Sequence, residues 1–228
     1  MKLLLMADLH GTLPVVTTEA DVAVIAGDVI PATSTYSSTK DGLLRQVQWI
    51  HERFIPWLQT LPVTSVVITW GNHDWFADQK DGSLVPELWW PENVHVLVNK
   101  AVTLDGVKFY GVPQQPRFYD WAFNEDDTPE GLGQRWQQVP DDTDVLVTHG
   151  PPFGCVDWVG SRRCGSKTMA TWLKSGTDNL PTLVVCGHIH AAGGNTRKCG
   201  ETVVMNVALA DEQYRQVRQP VVADWDKL

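Results

Sequence analysis

The run "LVVCGHIHAAGG", residues 183–194, sets two histidines one residue apart on a glycine-flanked turn, directly after an unbroken apolar stretch. A continuous β-rich run suits a strand buried on both faces rather than one with a solvated side. Working outward, the same pattern recurs as "KLLLMADLH" (2–10), "DVAVIAGD" (21–28), "SVVITWGNHD" (65–74), "DVLVTHG" (144–150) and "TLVVCGH" (182–188). Each run ends in a polar cluster. Sites in open α/β sheets form beyond the carboxyl ends of strands, so these clusters are expected to meet in space.

Between them, 42–61 has apolar residues at helical spacing, and 164–176 reads as a second helix closed by Gly176. Residues 94–113 alternate instead, and Asp105-Gly106 is a hairpin turn. Residues 201–210 and 219–225 read as a final antiparallel pair. The pattern predicts an α/β (α+β) fold of two packed sheets with helices outside, in a single domain over 1–228.

Composition narrows the function classes. The 228 residues are 43% hydrophobic and 20% charged, enough apolar surface for a sizeable core. The net charge of −9 and the absence of a Lys/Arg cluster argue against a duplex nucleic-acid partner. A small anionic substrate then requires local positive charge, which a metal would supply. Cys155, Cys164, Cys186 and Cys199 form no C-x-x-C pair, which disfavours a thiolate zinc ribbon and fits reduced cytosolic thiols. The apolar start "MKLLLMADLHG" is too short for a signal core or a membrane span, and no other stretch is long enough. The expectation is a cytoplasmic protein with no membrane partner.

The clusters read Asp8-x-His10, Gly27-Asp28, Gly71-Asn72-His73-Asp74, His149-Gly150 and Gly187-His188-x-His190. Five of the seven histidines lie in them; His51 and His95 sit mid-pattern and read as solvent-facing or structural. Imidazole and carboxylate together favour borderline divalent ions such as Mn, Fe or Zn. Two ions ~3.5–4 Å apart need a bridging carboxylate and a bridging water. Asn72 offers a neutral amide oxygen. Any one fragment arises by chance; all five, each after a strand-like run, do not.

This ordered set resembles the calcineurin-like metallophosphoesterase superfamily, over residues 3 to about 207. Within it, "GDVIPA" (27–32), "YGVPQQPRFYDWAFN" (110–124), "VTHGPPFG" (147–154) and "VCGHIHAAGG" (185–194) look like the small metallophosphoesterase-domain-containing proteins, grouped with class III cyclic-nucleotide phosphodiesterases. The resemblance implies a four-layer fold: two mixed β-sheets packed as a sandwich, flanked by helices. It implies two divalent ions, Mn foremost, with Fe, Zn, Ni or Co as other occupants. Asp8, His10 and His190 would hold the first, Asn72, His149 and His188 the second, and Asp28 would bridge them. His188 and His190 would thus serve different ions, with Ile189 turned back into the core. Asp74 is a departure, since many relatives carry Glu there.

On this reading the substrate is a small phosphodiester or nucleotide, 2′,3′- and 3′,5′-cyclic nucleotides included. His73 would act as general acid, with Asp74 holding its tautomer. In "QQPRFYDWAFN", Trp121, Phe123 and Tyr119 are candidates to stack a nucleobase, Arg117 to meet a phosphate and Asn124 to bind substrate; packing of the aromatics is the competing reading. The rival functions are a phosphomonoesterase or protein phosphatase, a scaffold using the fold without chemistry, and a nuclease for short oligonucleotides. The Arg162-Arg163 pair is the one candidate for a phosphatase-like arginine clasp. The oligomeric state is not legible.

Overall fold

The computed structural model describes residues 1–78, 88–176 and 179–228. In chain order the first half runs β1 (Lys2–Met6), β2 (Ala20–Ala26), α1 (Lys40–Trp49), α2 (Ile55–Leu58), β3 (Val63–Thr69) and β4 (Val94–Val96). The hairpin β5 (Lys100–Leu104) and β6 (Val107–Val112) follows, then the short pair β7 (Gln115–Pro116) and β8 (Asn124–Glu125). Next come α3 (Leu132–Gln137), β9 (Val145–Thr148), the short pair β10 (Trp158–Val159) and β11 (Arg162–Arg163), and α4 (Lys167–Leu173). The chain closes with β12 (Leu183–Cys186), β13 (Thr196–Cys199), β14 (Thr202–Asn206) and β15 (Val221–Asp224).

Two mixed sheets result, ordered β15-β1-β2-β3-β4 and β13-β14-β12-β9-β6-β5. Side chains alternate across each strand, and here both sides are buried. Leu3 and Leu5, Val22 and Val24, Val145 and Val147, Leu183 and Val185 fill one core between the sheets. The alternate residues Leu4, Met6, Ala23 and Ile25 pack outward, where Val47, Ile50, Phe54 and Leu58 of the 40–58 helical stretch cover them. Leu146, Val184 and Cys186 do the same against Leu132 and Trp136 of α3 and Met169 and Leu173 of α4. The uninterrupted apolar runs of the sequence are therefore strands with two buried faces, in a sandwich between helical layers.

The 40–58 stretch follows the helix expected over 42–61. Thr39 caps it by accepting the Gly42 N–H at 3.2 Å, and residues 50–54 wind as a π-helical turn between α1 and α2. Pro56, which has no N–H to continue the α ladder, sits at the start of α2. Asp105 and Gly106 have φ of 48° and 82°, the doubly left-handed turn a two-residue hairpin favours.

Two expectations need correction. Residues 94–96 do not belong to the hairpin: β4 pairs parallel with β3 in the other sheet. The final antiparallel pair does not form. β14 pairs with β12 and β13, whereas β15 crosses to the first sheet and pairs antiparallel with β1. Alternation alone leaves open which sheet edge a strand will join. The helix over 132–137 and the strand over 196–199 were not expected. One seam matters for the site: Ala7 N–H donates to the Val207 carbonyl and Leu209 N–H to the Ala7 carbonyl, each at 3.0 Å. It joins the end of β1 to the segment after β14, and with it the Asp8 turn to the Gly187–His190 turn. Among the described residues, no helix is long and apolar enough to cross a membrane.

Candidate metal centre

The five clusters converge in space: Asp28, Asn72, His73, His188 and His190 line a cavity of 220 Å³, and Asp8, His10 and His149 stand beside them. Asp8, His10, Asp28 and His188 all stand at the ends of strand runs with φ between 43° and 64°. Left-handed backbone is uncommon without glycine, and Asp and His tolerate it better than most. Such residues concentrate at functional sites, held there by the surrounding structure. The turns are laced together: Asp8 N–H donates to Gly27 O, His10 N–H to Asp28 O and Gly11 N–H to Val29 O, at 2.9–3.0 Å. Two glycines serve by smallness. A Cβ on Gly71 would overlap the Asp28 carboxylate, and one on Gly187 the Asp8 carboxylate.

Three groups of side chains offer ligand atoms within 4.8 Å of one another: Asp8, His10 and His190; Asp8, Asp28 and His149; and His10, Asp28 and His73. Asp8, His10 and Asp28 each belong to two of the three, so the groups overlap as one cluster. His149 Nε2 lies 3.3 Å from Asp28 Oδ2 and 3.0 Å from Asn72 Oδ1. His188 is brought to the same place, its ring 5.0 Å from that of His149 and its N–H donated to both oxygens of Asp8, at 3.1 and 2.9 Å. Ile189 packs with the core beneath α3 and α4, as expected.

The hydrogen-bond arithmetic fits metal ions. His149 Nδ1 lies 2.9 Å from Ala26 O and His190 Nδ1 2.8 Å from Asp211 O. A carbonyl only accepts, so each Nδ1 donates, and when the ring is neutral its Nε2 lone pair faces the centre. Those lone pairs face oxygens: His149 Nε2 meets Asn72 and Asp28 oxygens, and His190 Nε2 meets Asp8 Oδ1 at 3.2 Å, with His10 Nε2 at the same distance. Acceptors converging on acceptors in a buried space call for a cation among them. Protons alone answer this unevenly. Against the lowering effect of burial, Asp28 and Asp8 lift His149 to about 9. Burial takes His10 down to about 4, and burial with His149 takes His188 to about 3.

Several expectations change at this point. Asp74 does not orient His73. Fully buried, its carboxylate accepts N–H bonds from Gly71, Asp28, Val29 and Ile30 at 2.8–3.1 Å and so pins the two turns together. Of the candidate substrate residues only Trp121 lines the cavity, its ring 4.4 Å from His73. Phe123 is buried in the core under the helical stretch. Asn124 spends its amide on the backbone of Phe118 and Tyr119. Arg117 donates to Asp126 at 2.7 Å on the exposed rim. Arg163 is likewise occupied, by the buried Asp157 at 3.0 Å and by the Trp158 ring at 5.6 Å.

Other residues were missed. Asn206 donates to the carbonyls of Val156, Gly187 and Ile189 and accepts the Ala208 N–H, bracing the histidine turn. Its signal, a lone Asn ending a strand run, was available. Tyr214 sets its ring 4.7 Å from His10, and Phe118 lies 6.4 Å from His188; nothing in the local pattern marks either.

A sandwich whose turns gather carboxylates, imidazoles and an amide oxygen in this way defines a metal-dependent phosphoesterase, a hydrolase built to use divalent ions. The chain belongs to the calcineurin-like phosphoesterase family, whose sequence profile matches residues 1–192. It is 31% identical to metallophosphoesterase domain-containing protein 1 of Homo sapiens, over 96% of this chain and 69% of that protein, and equally to its Mus musculus counterpart. UPF0046 protein K07C11.7 of Caenorhabditis elegans is 34% identical over 57% of this chain and 43% of its own. A solved crystal structure 17% identical in sequence shares the fold, with a TM-score of 0.61 over 91% of this chain and 90% of its own.

Proposed function

We propose that the protein is a dinuclear phosphodiesterase acting on small nucleotide diesters, cyclic nucleotides included, with manganese as its preferred ion. The observation carrying this reading is the overlap of three ligand groups through Asp8, His10 and Asp28, beside a cavity lined by no Lys or Arg among the described residues. With no Lys or Arg in the lining, bound cations would be the main source of positive charge there, which suits a diester with one negative charge better than a dianionic monoester. Asp8, His10 and His190 would hold one ion, Asn72, His149 and His188 the other, and Asp28 both. Divalent ions in such a site supply Lewis-acid charge and acidify water.

The chain's own groups do the rest. In the hydrolysis a water oxygen, having lost one proton to solvent, bonds to phosphorus, the ester P–O bond breaks with its electron pair going to the leaving oxygen, and that oxygen needs a proton. His73 is the group to give it, from Nε2. Its backbone N–H is anchored on Asp28 Oδ1 at 2.8 Å, and its ring is wedged between His10 and Trp121 at 4.8 and 4.4 Å. The side chain is 13% exposed, reaching the cavity while Nε2 stays 3.9 Å from Asp28 Oδ2. The buried free thiols of Cys155, Cys186 and Cys199 accord with a reducing, cytoplasmic setting.

The test is a metal-reconstituted screen of bis-nitrophenyl phosphate, nitrophenyl phosphate, and 2′,3′- and 3′,5′-cyclic mononucleotides. A monoester-only profile overturns the reading. His73→Ala should keep its metal and lose ~10²–10⁴-fold on alkyl leaving groups, with a smaller loss on nitrophenolate. Equal loss on both removes His73 as the proton donor.

A further inference from the structure

Two cavities meet at His73. One is the 220 Å³ metal centre, bounded on its outer side by Phe118 and Val159. The other, of 360 Å³, lies against the 32–38 loop and is lined by Thr33, Ser34, Ser37, Trp75 and Trp121. His73, Trp121 and Tyr214 line both. None of the expected ion ligands lines the second cavity.

We propose that this second cavity holds the nucleoside attached to the leaving oxygen of the substrate. The inference rests on the phosphodiesterase reading and adds to it where the organic group sits. A leaving oxygen protonated by His73 must lie beside His73. With phosphorus among the ion-binding side chains, the group on that oxygen extends to the space on the other side of the imidazole, and the second cavity is that space. Its chemistry matches a nucleoside. Trp75 and Trp121 stack on each other, 27° apart with centroids at 6.0 Å, and both line the cavity, an aromatic wall against which a planar base can pack. The hydroxyls of Thr33, Ser34 and Ser37 suit ribose hydroxyls, each able to donate and accept. The carboxylate of Asp120 also lines the cavity and would repel a second phosphate, so the group is an uncharged nucleoside rather than a nucleotide. A linear diester would release it; a cyclic one would keep it tethered through its second ester oxygen.

The experiment uses the full chain reconstituted with Mn²⁺ and titrated calorimetrically with adenosine, with uridine and with inorganic phosphate. Ser34→Trp, which fills the cavity from an exposed loop position, and Trp75→Ala, which removes half the aromatic wall, should each weaken nucleoside binding at least about tenfold, the scale of one base–aromatic stack. Phosphate affinity should move less than about twofold, because the phosphate probe reports the ion centre. Nucleoside affinity unchanged in both variants overturns the assignment. So does failure of either nucleoside to bind, or loss of binding on Phe118→Ala alone. Nucleoside binding that depends on Ser34 and Trp75, in a protein without diesterase activity, upholds the cavity assignment and sinks the catalytic reading separately.

Discussion

At the floor of the metal cavity, Asp8, Asp28 and His149 are 1%, 2% and 0% exposed, and each is tied to backbone from a distant turn. At its rim, Phe118 and Tyr119 are 51% and 81% exposed, and their backbone is held by Asn124, while Ala122 and Phe123 further along tie the loop to Asn72 and Asp78. The floor is assembled from strand ends drawn together by two sheets. The rim is a local excursion between β7 and β8, with left-handed φ at Tyr119 and Phe123. What differs is how many independent constraints fix each side chain. A floor residue is set by the sheet, by its turn and by a partner from another turn. At the exposed tip of the rim, Phe118 and Tyr119 have fewer such ties, chiefly the Asn124 side chain on their backbone. Substitutions should therefore hurt in proportion to the number of turns a side chain joins, and three of them test this.

The largest effect should come from Asp74→Asn. The carboxylate accepts four amides from two turns, and an Asn amide would point N–H groups at some of them in a fully buried site. Leaving two donors unsatisfied costs about 3 kcal/mol, a melting temperature lower by ~6–12 °C for a chain of this size. Metal content should fall as well, because the 28–30 and 71–74 turns would separate. If thermal unfolding is unchanged and only the leaving-group dependence shifts, Asp74 acts through His73 after all, and the constraint argument fails at its strongest point.

Asn206→Ala comes next. It strips the amide N–H contacts to the Gly187 and Ile189 carbonyls of the turn bearing His188 and His190, along with those joining it to Val156 and Ala208. Losing a side chain that orients metal ligands typically costs ~10–100-fold in ion affinity. Competition with a chelator measures this directly, with folding checked independently by melting. Affinity within about twofold of the parent would mean the turn is fixed by its backbone pairing alone.

The same contrast explains how much could be read from the sequence. The expected ligand positions were legible because each sits where a β-rich run stops, and topology then forces the stops together. His188 and His190 are one residue apart, so the turn between them determines that Ile189 faces the core. Asp74 was legible as a site residue but not in its role: adjacency to His73 suggested a partner one residue away, while its actual partners are amides up to 46 positions distant. The antiparallel closure of 201–210 on 219–225 failed for a related reason. Alternation records that a strand has two faces, and nothing in "QPVVADW" says that β1 offers the free edge it will join. Phe123 shows the limit at the rim. An aromatic next to a catalytic motif looks the same whether a left-handed φ turns it into the core or out to a ligand.

Arg117→Ala should have the smallest effect, and it probes the rim alone. As the cation of the 117–124 loop it is the natural choice for a phosphate contact, yet its guanidinium is 56% exposed and engaged with Asp126, itself 67% exposed. An ion pair so open to water contributes at most about 1 kcal/mol. If it is only that, removing it should change kcat/KM on a cyclic mononucleotide by less than about threefold and leave metal content alone. A loss confined to KM, on the scale of tenfold or more and absent with the uncharged nucleosides, would mean that Arg117 leaves Asp126 to grip a phosphate as substrate arrives. The rim would then be a region set by its ligand, and the number of turns a side chain joins in the free protein would measure stability at the floor without measuring function at the edge.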